Sequence, residues 1–394
     1  MPPLVSVETA LARLLALAHP VAPETVPIRA AAGRWAAEDV AALRTQPYAD
    51  LSAMDGYALR FADLPGPFTV IGESAAGTPF AGTVGAQEAV RIFTGATMPA
   101  GADTVLVQEE AARDRAILSV TGAGPAYAGR NVRRAGLDFH AGDVLVPAGA
   151  RITPARIAVA ATGGHGTLPV RRALRVATVA TGDELVAPGA PLPPGALPES
   201  NGAMLAAMLA DLPVEVVDLG ILPDRLDTIT AAFARVDADI LVTTGGASVG
   251  DHDLVRPALE AAGGVLDFWR IALRPGKPML AGRLNGTVVL GLPGNPVSAF
   301  VTATLFLRPL IAFMSGAADP QPRRASAILG EDLPANDHRA DYLRAETRGG
   351  RVYVAAIQDS SMLRTLARAD CLVIRAPNAP AAKAGDSVEI LPLG

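Results

Sequence analysis

The chain has 394 residues, 50% of them hydrophobic, enough for roughly two to three domains with sizeable cores, which excludes a disordered protein. A net charge of -5 argues against a nucleic-acid surface or a polybasic membrane anchor, so any anion site has to be built locally. Cys371 has no partner for an intrachain disulfide, and His19, His140, His165, His252 and His338 lack zinc-ligand spacing, the profile of an intracellular, zinc-free protein.

The N-terminal MPPLVSVETALARLLALAHP has no basic leader and is interrupted by Glu8 and Arg13. It reads as an amphipathic helix starting near Ser6, not as a signal peptide. Over residues 46–140, the runs YALRF, FTVIG, AVRIF, TVLVQEE and AILSVTG alternate with Gly/Pro turns and show no helical period, which predicts a small inserted β domain. The flanking pieces, 1–45 and 141–174, are expected to join as a linking domain.

From residue 175 the pattern becomes regular: RVATVAT, VEVVDLG, DILVTT and GTVVLGL as strands, GAMLAAMLADL, LDTITAAFARV, LVRPALEAAG and PVSAFVTATLFL as helices. This predicts a central α/β domain over 175–320 with a mostly parallel sheet. The most apolar run, 297–314, is cut by Arg308 and Pro309; it is expected to form a core helix, too short on either side to cross a bilayer. After the linker-like SGAADPQPRRA, the short runs RRASAILGEDL, YLRAETR, RVYVAAI, CLVIRAP and SVEILPL predict a C-terminal β-barrel or sandwich over 321–394. The fold class is therefore multidomain α/β plus β.

In a parallel sheet, ligands bind beyond the carboxyl ends of the strands, where helix N-termini favour anions. Three loops hold that position: TGDELV (181–186), VTTGGASVGDHD (242–253) and GLPGNPVS (291–298). The first offers Thr181 and Gly182 to a phosphate and Asp183 or Glu184 to a cation, and is equally an ordinary Gly-Asp turn. In the second, Gly245, Gly246 and Ser248 suit an anion, while Asp251 and Asp253 carry the hard oxygens Mg²⁺ takes; an Asp-capped tight loop is the plain alternative. The third presents Asn295 and Ser298 as donors on a turn stiffened by prolines. None is a phosphate-binding Walker loop, because Gly276-Lys277 is followed by Pro278. Between the second and third, FWRIALRPGKP places Arg270, Arg274 and Lys277 together, as oxyanion ligands or as a solvated basic face. Asp55 in SAMDGYAL, Thr94 in RIFTGATMPAGADTVL and Asp138 in NVRRAGLDFHAGDVL are candidates that read individually as structural, Asp55 as a plain hairpin turn.

In this order, SAMDGYAL, RIFTGATMPAGADTVL, NVRRAGLDFHAGDVL, TGDEL, TTGGASVGDHDL, FWRIALRPGKP and GLPGNPVSAF resemble the molybdopterin molybdenumtransferase family, molybdenum insertases related to the C-terminal domain of gephyrin. The likeness covers nearly the whole chain. It implies a cytoplasmic homodimer of four-domain subunits. It also implies a reaction on adenylylated molybdopterin and molybdate, in which Mg²⁺-dependent pyrophosphate hydrolysis releases AMP and yields molybdenum cofactor. By this resemblance Glu184, Asp224, Asp251 and Asp253 hold or organise Mg²⁺. Thr181, Gly182, Ser200, Asn201, Gly245, Gly246, Ser248 and Asn295 contact the substrate, and Arg270 and Arg274 its pterin phosphate or approach surface. Lys277, Ser298, Arg339 and Ser360 form the molybdate pocket, and Asp55, Thr94 and Asp138 come from the partner subunit's β domain.

The chain departs from the family pattern in carrying Arg270 and Arg274 where Lys is frequent, Glu199 where Asp is common, and Asp359 in QDSS. The adenylyltransferase that supplies the substrate and apo-molybdoenzymes that receive the product are the implied partners. A molybdopterin adenylyltransferase and a non-enzymatic gephyrin-like scaffold are the rival readings.

Overall fold

The computed structural model describes residues 4–245, 254–276 and 278–393. Its central layer is a seven-stranded mixed sheet in the order Leu4–Val5, Val265–Ile271, Pro278–Leu284, Thr287–Leu292, Ile240–Thr244, Leu174–Thr181, Val214–Leu222. The Leu174–Thr181 strand is parallel to both neighbours, and Ile240–Thr244 is parallel to Thr287–Leu292. The predicted parallel core is there, and an antiparallel hairpin extends it. FWRIALRPGKP, read as a basic stretch, contributes the end of the Val265–Ile271 strand, the two-residue strand Leu273–Arg274 and the start of Pro278–Leu284.

Both faces of this sheet are covered, so its middle strands are buried at nearly every position. Alternate residues serve the two sides. Val176, Ile240, Val242 and Leu290 pack with helix Asn201–Leu209 and the Pro296–Met314 run. Ala177, Val179, Leu241 and Val289 pack with Leu226–Phe233 and Val255–Ala261.

The N-terminal segment divides. Ser6 caps the Val7–Ala16 helix by accepting from Thr9 N–H at 3.1 Å. That helix, with the Leu4–Val5 strand, packs on the central core. From Pro23 onward the chain meets the 141–174 piece: Pro23–Pro27 pairs with Thr167–Arg171 and Val40–Ala41 with Val144–Val146. Ala31, Ala36, Val40, Val146, Ile152, Ala160 and Leu168 close a small core there.

Arg308 and Pro309 do not break the most apolar run. One 19-residue helical stretch, Pro296–Met314, persists through them and is long and apolar enough to cross a membrane, but 83% of its most apolar window is buried inside the protein. Its Ala303–Leu307 segment is π-helical. The wider turn just before Pro309 relieves the ring's clash with the preceding carbonyls, which is why the proline is tolerated.

The inserted domain is a six-stranded sheet running Thr104–Val107, Gly56–Leu59, Glu88–Ile92, Phe68–Ser74, Ile117–Val120, Ala111–Asp114. The Asp-Gly step at 55–56 is not a hairpin turn. Leu51–Ser52 pairs with Val132–Arg133, whereas Gly56–Leu59 pairs with Glu88–Ile92 and Thr104–Val107. At the C-terminus, Ala340–Arg348, Arg351–Val354, Ala325–Leu329, Ser387–Pro392 and Cys371–Arg375 close into a five-stranded barrel, since the first also pairs with the last. Leu273–Arg274 adds in parallel to Ala340–Asp341 and so joins the central domain to the barrel.

Candidate active site

Chain order sets the position of the site. From Leu174–Thr181 the chain passes to Val214–Leu222 on one side, then crosses to Ile240–Thr244 on the other. The carboxyl ends of these strands therefore flank a topological switch point, the place where α/β sheets hold ligands. Backbones converge there. Gly245 has φ +89°, and a Cβ on it would lie 3.2 Å from the Thr181 carbonyl oxygen; one on Gly294 would lie 3.4 Å from Gly245 Cα. At Gly245 the positive φ and the close carbonyl together call for glycine where three loops meet.

Two helices, Asn201–Leu209 and Pro296–Met314, start at this edge with Asn201 and Asn295 at their mouths. Asn201 Nδ2 donates to Gly294 O at 2.8 Å, which stitches the two helix entrances together. Asn201 Oδ1, Asn295 Oδ1 and Thr243 Oγ1 are buried without a partner among the described residues. Orphaned acceptors at two helix N-termini are what a polar ligand would satisfy. Ser200 precedes the first helix without a side-chain cap bond. Glu199 does the capping instead, accepting from Gly202 N–H at 2.9 Å, which gives a local reason for glutamate at that departure from the family pattern.

Acidic groups line the other side of the switch point. Asp183 and Asp224 exchange hydrogen bonds: Asp224 N–H donates to Asp183 Oδ1 at 3.0 Å and Asp183 N–H to Asp224 Oδ2 at 3.4 Å. This pair fixes the 181–184 loop to the one after Val214–Leu222. The Glu184 carboxylate folds back over Gly182, whose φ of +147° is a backbone conformation that side-chain residues rarely adopt. A cleft of about 340 Å³ beside these loops is lined by Thr178, Glu199, Asp218, Gly220 and Thr244. Among the described residues no group of three or more His, Cys, Asp or Glu converges on a metal position. Glu184 and Asp224 lie on the two tethered loops and carry hard carboxylate oxygens of the kind Mg²⁺ takes, one or two per ion with water and phosphate oxygens filling the shell. Gly246, Ser248, Asp251 and Asp253 lie outside the described residues.

The cations have partners. Arg274 makes a bidentate pair with Asp341, Nε to Oδ1 at 2.9 Å and Nη2 to Oδ2, and its Nη1 is 3.7 Å from Asp337. Asp341 is only 3% exposed. Its hydrogen bond raises the pKa of Arg274. Arg339 donates from Nη2 to Asp337 at 2.8 Å, and this bond, with one from the Arg339 amide, holds the Asp337 carboxyl well below the usual range. Arg274 and Arg339 thus belong to one alternating chain of charges across the joint between the central domain and the barrel. Arg270 sits in the Val265–Ile271 strand, opposite Leu4 of the edge strand. Lys277 lies outside the described residues.

Ser298 is 6% exposed in the first turn of its helix. Gly276, with φ +111°, presses on that turn: a Cβ there would sit 2.7 Å from Thr302 Cγ2 and 3.6 Å from Ser298 O. Ser360 is half-buried, and the short helix after it, Leu363–Leu366, packs against Pro296–Thr302. The loops bearing Ser298 and Ser360 are thus neighbours. Sequence reading passed over Asp337, Asp341, Arg344 and Gln358 here; the one visible hint was the Asp/Arg alternation in HRADYLR.

Asp55 and Thr94 form a unit of their own. Asp55 Oδ1 accepts from Thr94 N–H at 2.7 Å and from Thr94 Oγ1 at 2.8 Å. Those bonds, main-chain first, and then the Arg91 charge pull the Asp55 carboxyl below its ordinary value. Asp138 is exposed, with its N–H on Gln46 O at 3.0 Å. Among the described residues no hydrogen bond or ion pair connects these three to the 181–184 loop.

Three family models match in succession along most of the chain: the MoeA N-terminal region (domain I and II) over residues 5–164, a probable molybdopterin binding domain over 177–312, and the MoeA C-terminal region (domain IV) over 326–393. The molybdopterin molybdenumtransferase of Haemophilus influenzae is 36% identical over 95% of both chains. Molybdopterin molybdenumtransferase 2 of Mycobacterium tuberculosis is 37% identical over 89% of this chain and 90% of that one. Among solved structures, a molybdopterin biosynthesis moeA protein from Pyrococcus horikoshii OT3 superposes with TM-score 0.84 at 27% identity, covering 99% of this chain and 100% of that one.

Fold and site together define a multidomain α/β transferase whose central domain is of the molybdopterin-binding class. The chain belongs to the molybdopterin molybdenumtransferase family.

Proposed function

We propose that this enzyme inserts molybdate-derived molybdenum into adenylylated molybdopterin, with hydrolysis of the pyrophosphate link, release of AMP and formation of molybdenum cofactor. The observation that carries this reading is the close approach of the Gly245 and Gly294 loops to Thr181 at a switch point whose neighbouring loops, tied by the Asp183–Asp224 bonds, carry Glu184 and Asp224. Glycine backbone and helix N-termini receive phosphate oxygens, and carboxylates receive the cation that accompanies a diphosphate. Glu184 and Asp224 would hold Mg²⁺, joined by Asp251 and Asp253 as the resemblance implies. When bound, the ion neutralises phosphate charge and makes a water oxygen more nucleophilic.

The chain's own groups do the rest. Asn201, Asn295 and Ser200 orient the substrate at the helix mouths, while Gly246 and Ser248 complete the phosphate cradle. Arg270 and Arg274 guide the pterin phosphate. Lys277, Ser298, Arg339 and Ser360 bind molybdate, a tetrahedral dianion that needs fixed cations and hydroxyl donors. Asp55, Thr94 and Asp138 serve the pocket of the partner subunit in a homodimer, and the cytoplasm is the place of reaction.

The test is to incubate purified protein with adenylylated molybdopterin, molybdate and Mg²⁺ and to measure AMP and active cofactor. Adenylylated pterin and pyrophosphate formed from ATP and free pterin, with no AMP released from the adenylylated substrate, would identify an adenylyltransferase. No turnover together with a stable partner complex would identify a scaffold.

A further inference from the structure

Arg344 belongs to the barrel strand Ala340–Arg348 and is 1% exposed. It lies directly opposite Leu372 and two residues from Tyr342. Tyr342 and Leu372 both pack into the core of the central domain, and strand alternation puts Arg344 on the same face. A guanidinium is thus buried in the joint between the two domains, a costly placement unless its donors are bonded. Burial pulls its pKa below the ordinary arginine value, opposed by the charge of Asp359.

All of its side-chain hydrogen bonds among the described residues go to one loop. Nε donates to Gln358 Oε1 at 3.1 Å, and Nη1 to the main-chain oxygens of Asp359 at 2.9 Å and Met362 at 3.3 Å. Gln358 answers: its Nε2 donates to Arg344 O at 3.0 Å and Ala355 O at 2.9 Å, and its Oε1 also accepts from Arg344 N–H at 3.1 Å. The glutamine amide thereby stands in for a neighbouring strand. Arg344 Nη2 is buried without an acceptor among the described residues. The loop held in this way carries Ser360 and leads into the helix that packs on Pro296–Thr302, where Ser298 sits.

We propose that Arg344, latched by Gln358, is a positioning residue of the oxyanion subsite: it fixes the 358–362 loop against the Pro296–Thr302 helix, so that Ser360 and Ser298 are held at one pocket. This rests on the reading of those serines as molybdate ligands, but that reading gives Arg344 and Gln358 no role. A planar fork reaching three acceptors on one loop is a task lysine cannot reproduce.

The test compares Arg344→Met, Arg344→Lys and Gln358→Ala with the unmodified dimeric enzyme. It uses molybdate titration calorimetry and steady-state kinetics with each substrate varied. Arg344→Met and Gln358→Ala are expected to raise the molybdate Kd and KM about tenfold or more, leaving the KM for adenylylated molybdopterin within about twofold. Arg344→Lys is expected to behave like Arg344→Met. Where Arg344→Met fails to fold, Gln358→Ala decides, because it cuts the latch from the loop side. Unaltered molybdate affinity in folded Gln358→Ala overturns the positioning role, as does full rescue by lysine. An unmodified enzyme that shows no saturable molybdate binding would strike the functional reading instead.

Discussion

Fixed partners stabilise a carboxylate that is partly withdrawn from water, and half-buried Asp239 shows what that implies for pH. It accepts from Arg172 Nη1 at 2.8 Å, Arg172 Nη2 at 2.6 Å and Arg175 N–H at 2.8 Å, clamping the starts of two adjacent central strands. Burial alone would push its carboxyl up, but the Arg172 bonds and the Arg175 amide together bring it below the ordinary value. A depressed folded pKa means that the stabilisation is complete above the unfolded carboxylate pKa, about 3.9, and is lost as pH falls through the lower folded value. Asp239→Asn should therefore cost about 1–2 kcal/mol at pH 7, the range for a hydrogen bond to a charged group reduced for the exposed Arg172. Urea midpoints measured between pH 6 and 2 should fall less steeply in the variant, and equal slopes would remove Asp239 as the source. Asp224 allows a second test at this scale. Asn keeps an oxygen to accept from Asp183 N–H but loses the charge. Asp224→Asn is expected to slow AMP release by about 10²-fold with an unchanged melting temperature, and unaltered turnover would take Asp224 out of the site.

Elements were legible in the sequence where burial alone shapes them. The strands at 174–181, 240–244 and 287–292 are buried on both faces and read as continuous apolar runs, and their helices follow the 3.6 period. Leu4–Val5 could not be read: two residues carry no period, and the strand exists because Val265–Ile271 offers an edge. The Pro278–Leu284 hairpin strand was hidden by the basic residues before it. Pro309 suggested a break that a π-helical turn absorbs, a tertiary accommodation with no local signal. Gly56 illustrates the reverse, a signal with the wrong explanation. The Asp-Gly pair suggests a turn, but the glycine is required within a strand, because a Cβ there would overlap the Leu106 carbonyl of the adjacent strand. Gly56→Ala should force these strands apart and lower the stability of the inserted domain by about 1–3 kcal/mol, seen as earlier loss of amide protection in residues 56–59 and 104–107. Native protection in the alanine variant would show that the sheet yields without cost.

At the scale of the whole molecule, the candidate site draws on loops far apart in the chain, which the sheet order brings to one edge. Its glycine and Pro-Asn turns at 181–182, 245 and 294–296 were visible because unusual backbone needs unusual residues. Of the supporting charges, Asp337 has a local partner in Arg339, but Asp341 gains its role from Arg274 across the joint between barrel and central domain and Arg344 from a loop fifteen residues further on, contacts that no local pattern encodes. Asp55 and Thr94 bond to each other and, among the described residues, have no bond to the 181–184 loop, which suits a contribution to a second subunit's pocket. In a two-fold dimer each pocket would then combine Asp55 of one chain with Asp224 of the other. Chains carrying Asp55→Ala alone or Asp224→Ala alone should each be inactive. When the two are mixed equally and exchange at random, about half of the dimers are mixed. In each of these, one pocket collects both substitutions and the other collects neither. AMP release should therefore recover to about a quarter of the unmodified rate, rising with the time allowed for subunit exchange. If each pocket were built within a single chain, every pocket in the mixture would keep one lesion, and the recovery would be absent at any mixing time.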